Sequence, residues 1–211
     1  MRRPRTAVGA AAMGCPGWAD VCHGFSLLEL LLTVVVSSTL IAIAVPLTAG
    51  VADDMRTAMA ARYLQGRIMD ARMHAVRRGT RIGLRFERVG ADYRFAEYLD
   101  GNGNGVRNAD IAAGIDREIA PRQFLRDQFP RVTFGLQANV PDVDGTRSAS
   151  ATDGVRIGAT RILTLGPDGT ATSGTLYLHG SRRQYAVRVL GATGRSRVMR
   201  FESGMRQWIV R

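Results

Sequence analysis

Eighteen consecutive residues, Leu30 to Leu47, carry no charge, and the residue just before them is a carboxylate, Glu29. As a helix rising about 1.5 Å per residue, such a run extends roughly 27 Å, close to the hydrocarbon thickness of a bilayer. The apolar stretch as a whole runs from Phe25 to Ala49, and Glu29 is its single charge. Met1 to His23 is polar to mildly apolar and holds Arg2, Arg3 and Arg5. A secretory signal peptide has a shorter apolar region, about 7–15 residues, ending in a small-residue cleavage site. An ordinary signal anchor explains the run but not an acid inside its first turn or two. A buried core helix is disfavoured by the unbroken hydrophobicity.

A carboxylate in an apolar span is costly, so it needs a partner or a purpose. Cleavage before Phe25 creates an α-amino group close to Glu29 in sequence. Within one helix that amine points away from the Glu29 side chain. In a bundle of staggered identical helices, Glu29 of one copy meets the amine of its neighbour and sets the register, as buried polar groups do.

The segment Gly24-Phe25-Ser26-Leu27-Leu28-Glu29-Leu30 resembles the prepilin peptidase site of type IV pilins and type II secretion pseudopilins. The resemblance implies cleavage after Gly24, N-methylation of Phe25 and an assembly role for Glu29. Pro46 stands where many members of that family carry a helix-kinking proline, which implies a second assembly feature. Met1 is preferred to Met13 as the start, because the leader then keeps its arginines on the cytoplasmic side. The implied partners are a prepilin peptidase, other pilin or pseudopilin subunits and the inner membrane. The chain is expected to be single-pass, with its C-terminal domain periplasmic, and to enter a pilus or pseudopilus.

The two cysteines, Cys15 and Cys22, both precede Gly24. Removal of the leader leaves a mature chain that forms neither a disulfide nor a thiolate metal site. A chain of 211 residues has room for one membrane segment and one modest globular domain. The expected division is a leader at 1–24, a transmembrane and assembly helix at 25–49, an amphipathic half of that helix at 50–79 and a β-rich domain at 80–211.

Beyond Gly50, the residues Met55, Met59, Tyr63, Gly66, Met69, Met73 and Val76 follow helical three–four spacing. The methionine stripe is read as the face packed on the domain, with Arg56, Arg62, Arg67, Arg72 and Arg77 off it. Gly79 is placed as the C-terminal cap. The period then changes to two. Residues 81–86, 93–95 and 185–189 alternate, and short apolar runs occur at 132–134, 161–165, 175–178 and 197–201. Turn residues separate most of them. The fold class is α+β: a long N-terminal helix, half membrane and half amphipathic, packed on an antiparallel sheet, pilin-like. Residues 136–154, rich in Asp, Gly, Ser, Ala and Thr, are read as a mobile loop.

Leu165 to Leu178, with its Gly-Pro-Asp-Gly and Ser-Gly turns, resembles the GspH/FimT branch of the pseudopilins, as does Thr193-Gly194-Arg195 near the end. All 29 basic residues are arginine, against 18 acids, a net charge of +11. Eight of these arginines lie between Arg182 and Arg211, with Glu202 the one acid among them. The surplus is either a solvated surface or a polyanion-binding face. In the FimT branch a Gly-Arg-x-Arg segment is associated with DNA binding during uptake. Gly194-Arg195-Ser196-Arg197 has that form, which implies Arg195 and Arg197 as DNA contacts and extracellular DNA as a partner. Arg182, Arg183, Arg200 and Arg206 are candidates to widen that patch. The alternative is a β-turn shared with secretion pseudopilins that bind no DNA.

Asp100, Asn102, Asn104, Asn108 and Asp110 imitate the start of a calcium loop, with glycine at its sixth place. The twelfth place is Ile111 rather than a bidentate glutamate, so a turn between strands is preferred to a Ca2+ site. No cofactor is otherwise expected. His74 and His179 belong to no hydrolase or zinc motif, and no glycine run forms a nucleotide loop. The chain is therefore expected not to be an enzyme. Two functions remain: a minor pilin or pseudopilin subunit of a type II secretion or type IV pilus filament, and a FimT-like DNA-binding minor pilin.

Overall fold

The computed structural model describes residues 26–145 and 153–211, with the backbone alone at 45–49. The leader, the Gly24–Phe25 junction and residues 146–152 lie outside the described residues. The chain divides into two compact units, Met1–Ala44 and Val45–Arg211, and helix α1 (Leu27–Arg78) contributes to both.

In the first unit the helical stretch Leu27–Ala44 is exposed along its whole length and is long and apolar enough to cross a membrane. Three of its four hydroxyl side chains bond within the helix. Thr33 donates to the carbonyl of Leu30, Ser38 to that of Val34, and Thr39 to those of Val35 and Val36. Glu29 lies in the first turn, where the helix dipole favours an anion.

The second unit is one α+β domain. In chain order its strands and short helices are β1 (Ile82–Val89), β2 (Asp92–Leu99), α2 (Asn108–Ala112), β3 (Arg117–Phe124), α3 (Leu125–Gln128), β4 (Thr133–Phe134) and β5 (Val155–Arg156). Then come β6 (Ile162–Leu165), β7 (Gly174–His179), β8 (Gln184–Leu190), β9 (Arg195–Glu202) and β10 (Gln207–Val210). They form two antiparallel sheets. The first has the order β3-β2-β1-β6; the second has the order β10-β9-β8-β7-β4, with β5 also paired to β7. Pro121 falls in β3, an edge strand, where its missing N–H costs no ladder bond.

Both sheets share one core beneath α1. Leu84 and Phe86 of β1, Phe95 of β2, Leu163 of β6, Leu176 and Leu178 of β7 and Val187 of β8 pack with Ala60, Ala61, Leu64, Ile68, Ala71 and Ala75 of the helix. The helix keeps the period its sequence predicts, but the face opposite the methionines is the buried one. Met55, Met59, Met69, Met73 and Val76 are 44–61% exposed, Gly66 is exposed, and Tyr63 is only half-buried. The buried stripe is made mostly of alanine. Small side chains make up most of the buried face, with Leu64 and Ile68 between them, and the larger methionines are left on the far side. The helix ends as its sequence suggests. Gly79, at φ 63°, donates to the carbonyl of Val76, and Thr80 donates to that of Ala75, a Schellman cap.

The face of each sheet turned away from α1 is covered by a loop. On the first sheet, Val106 packs with Ala96, Tyr98 and Ile162. On the second, Leu136, Val140 and Val143 pack with Tyr177, Ala186, Met199 and Trp208. Residues 136–145 are therefore a packed segment rather than the mobile loop their composition suggests. Their few apolar side chains sit at the positions that reach the sheet.

Candidate functional site

The arginine-rich end folds into β8, β9 and the turns around them, and strand parity sorts its side chains. Gly194, at φ 57°, closes the β8–β9 turn, and Arg195 opens β9. Arg195 and Arg197 are exposed. Among the described residues neither makes an ion pair. Val198 points to the core under α1, so Arg197, its neighbour in the strand, points to the opposite, outer face.

The other candidates do not join them. Arg200 is opposite Tyr185, a core residue, and forms an ion pair with Glu202. Arg183 pairs with Asp54 of α1 at 2.9 Å and stands 3.9 Å from Glu202. Arg182 is exposed and lies against Gly50 of the helix. Arg182, Arg183 and Arg200 thus gather on the helix side, Arg195 and Arg197 on the outer side. Arg206 is exposed in the β9–β10 turn. Two residues not singled out from the sequence share the outer face, Arg188 of β8 and Arg156 of β5. Period-two alternation in 185–189 already marks Arg188 as polar-face; Arg156 sits in a strand of two residues, too short to show a period.

The Asn-Gly loop is built around two carboxylates. Asp100 accepts hydrogen bonds from the backbone N–H groups of Asn102, Gly103 and Gly105 at 3.2, 2.7 and 2.8 Å. Asp116 accepts from those of Gly101 and Arg107 at 3.0 and 2.9 Å. Asn102 and Asn104 donate their amides to Asp110 at 3.4 and 3.0 Å, and Asn108 donates to the carbonyl of Thr160 at 3.4 Å. Among the described residues no three His, Cys, Asp or Glu side chains are grouped to hold a metal ion.

At the N-terminus, Glu29 is exposed in the first turn of α1. Gly24 and Phe25 lie outside the described residues. Pro46 lies within α1, in the stretch described by its backbone alone.

One perturbed group is a scaffold element. Burial, and then its hydrogen bond to Asp153, push the Tyr93 hydroxyl up to about 12. It therefore stays protonated as a donor that ties β2 to the start of β5. His179 turns Nδ1 to the carbonyl of Gly180 at 3.0 Å.

One helix, exposed and apolar in its first part and laid on two antiparallel sheets in its second, is the frame that carries these residues. The family model described as "Type II transport protein GspH" matches residues 60–193, and the chain belongs to that family. The match starts inside α1 and stops one residue before Gly194. Among solved structures, the minor pseudopilin EpsH from the Type 2 Secretion System of Vibrio cholerae is similar at a TM-score of 0.43 and 13% identity, over 69% of this chain and 97% of that one. No curated protein matches the chain significantly.

Proposed function

We propose that the chain is a minor pilin or pseudopilin subunit of a type II secretion or type IV pilus filament. A prepilin peptidase cuts after Gly24, Phe25 becomes the methylated N-terminus, and the apolar helix holds the subunit in the inner membrane with its domain periplasmic. Assembly draws the same helix, with Glu29 and Pro46, among those of other subunits. The observation that carries this reading is the fully exposed apolar surface of Leu27–Ala44 with a lone carboxylate at its start. An uncovered apolar surface of that size calls for lipid or for other helices. Gly24→Ala is expected to leave a full-length precursor on a gel; normal processing refutes the cleavage. Glu29→Val is expected to be cut and membrane-held yet absent from sheared filaments; its undiminished incorporation refutes the assembly role.

The second reading, DNA binding during uptake, is favoured by the exposure of Arg195 and Arg197 side by side on one face. Guanidinium groups free of acidic partners contact phosphates without sequence preference. Arg195→Ala with Arg197→Ala is expected to lose DNA retention in a mobility-shift assay at low salt. Unchanged retention removes this reading and leaves the subunit role standing.

A further inference from the structure

The outer face of the second sheet carries more cation than its exposed end. Backbone register sets Arg156 opposite Thr175, Thr175 opposite Arg188, and Arg188 opposite Arg197. Directly paired residues point to the same face of a sheet, so three arginines lie in one row across four strands. With strands about 4.8 Å apart the row spans roughly 14 Å, the length of about four nucleotides at 3.4 Å each. Arg195 lies two residues before Arg197 and extends the same face.

Like charges set opposite one another repel, and the chain supplies its own counter-charges. The segment Leu136–Asp144 crosses this face and is tied down at defined points. The indole N–H of Trp208 donates to the carbonyl of Pro141 at 3.0 Å, and the backbone N–H of Val143 donates to the Tyr177 hydroxyl at 3.0 Å. Those ties bring Asp142 to Arg156 at 2.9 Å and Asp144 to Arg188 at 2.7 Å. A groove of about 450 Å³ lies between the two pairs and the adjoining ends of β7 and β8, lined there by Gly174 and Gly191.

The two pairs differ in kind. Asp142 is 6% exposed, and Arg156 also stacks over the Tyr177 ring at 5.3 Å, so that pair belongs to the packing. Asp144 is 62% exposed and Arg188 34%. An exposed pair is weak and is screened by solvent, so a polymer presenting several phosphates at once displaces it.

We propose that Arg188 completes a sequence-independent phosphodiester-binding face with Arg195 and Arg197, and that Asp144 is a built-in competitor occupying Arg188 until a phosphate replaces it. This rests on the DNA-binding reading above and adds a contact and a regulator to it. The competitor raises the number of phosphates needed for capture, so long DNA is favoured over mononucleotides and inorganic phosphate.

The test uses the detergent-solubilised full-length protein, a short fluorescent DNA duplex and anisotropy titrations from low to moderate salt. Asp70→Asn, an exposed site on α1, makes the same change in net charge elsewhere. Asp144→Asn is expected to tighten binding about two- to fivefold beyond Asp70→Asn. It is also expected to steepen the dependence of log K on log salt by about one. Arg188→Gln is expected to weaken binding and to abolish the gain from Asp144→Asn in the double variant. The proposal is overturned if Asp144→Asn matches Asp70→Asn, or if Arg188→Gln binds like the unaltered protein. In either case loss of binding in the Arg195→Ala, Arg197→Ala variant keeps the simpler DNA reading alive. If neither the unaltered protein nor Asp144→Asn binds the duplex at low salt, the DNA reading falls and this proposal with it.

Discussion

Asp53 of α1 accepts two hydrogen bonds from Ser181 in the β7–β8 turn, from its backbone N–H at 3.0 Å and from its hydroxyl at 2.6 Å. The pair joins residues far apart in sequence and fastens the helix to the second sheet at a buried point, since Asp53 is 3% exposed. Hydrogen bonds to a buried carboxylate are among the stronger ones. Asp53→Ala is expected to lower stability by about 1.5–3 kcal/mol in urea titrations. The hydroxyl of Ser181, more than the charges of Arg131 and Arg56, holds the Asp53 carboxyl below its usual value against the opposing effect of burial. A carboxyl depressed in the folded state stabilises fully above its unfolded pKa, about 3.9, and the gain is lost as pH falls through the folded value. The difference in melting temperature between the unaltered protein and Asp53→Asn should be constant from pH 5 to 8, about the ordinary working range. It should shrink below about pH 4. A gap that widens on acidification overturns this account.

Glu97 of β2 is almost wholly buried beneath α1 and is paired there with Arg67. Nδ1 of His74 stands 3.7 Å from its other oxygen. Removing one partner of such a pair strands a charge in the core. Arg67→Met is expected to cost about 3–5 kcal/mol, and the joint change with Glu97→Leu to recover most of it. Chemical denaturation of the three variants measures this; a double variant no better than the single one contradicts it.

Gly194 is constrained twice. Its φ of 57° suits glycine, and a Cβ there would come within 2.5 Å of the carbonyl oxygen of Gly169 in the β6–β7 turn. Gly79 has a similar φ of 63°, but nothing stands within 4 Å of its Cβ position. Alanine at 79 should cost about 1–2 kcal/mol, the conformational cost alone. Alanine at 194 should cost more, and it should also disturb the start of β9, where Arg195 and Arg197 are placed. Thermal melts of the two variants give the comparison.

Substitutions on the two sides of α1 should behave oppositely. Met59→Ser and Met69→Ser are expected to change stability by no more than about 0.5 kcal/mol. Leu64→Ala is expected to cost about 2–5 kcal/mol. If Met59→Ser proves as damaging as Leu64→Ala in detergent-solubilised protein, the orientation of the helix is wrong.

The Asn-Gly loop should depend on Asp100 rather than on an ion. With three backbone N–H groups bonded to its carboxylate, Asp100→Ala is expected to cost at least about 2 kcal/mol. A chelator is expected to leave the melting temperature of the unaltered protein where it was. A fall of several degrees on chelation would point instead to bound calcium.

The sequence was most readable where one local rule acts alone. The uncharged run after Glu29, the glycine cap at 79 and the alternation in β1 and β8 each follow from a single periodicity or conformational preference. It was least readable where two rules compete. Along α1 both the methionine and the alanine stripes have helical spacing, and hydrophobicity favours methionine. The alanine side, with Leu64 and Ile68, is the one buried against the two sheets, and only the assembled core reveals that. Strand β3 shows no period because it is an edge strand without a fully buried residue and Pro121 interrupts its pattern. The segment 136–145 has loop composition, yet Leu136, Val140 and Val143 hold it down. The arginine end was legible as charge but not as geometry. Spacing alone does not tell that Arg183 and Arg200 turn towards acids while Arg195 and Arg197 turn away.

The alanine-lined inner side of α1 has a consequence for how such a chain diversifies. Because Ala60, Ala61, Leu64, Ile68, Ala71 and Ala75 make the contact with the sheets, the outward residues of the helix bear almost none of the folding load. Mutations at Met55, Met59, Met69 and Met73 can accumulate without repacking the interior. The outer chemistry of this helix is thereby uncoupled from the architecture beneath it.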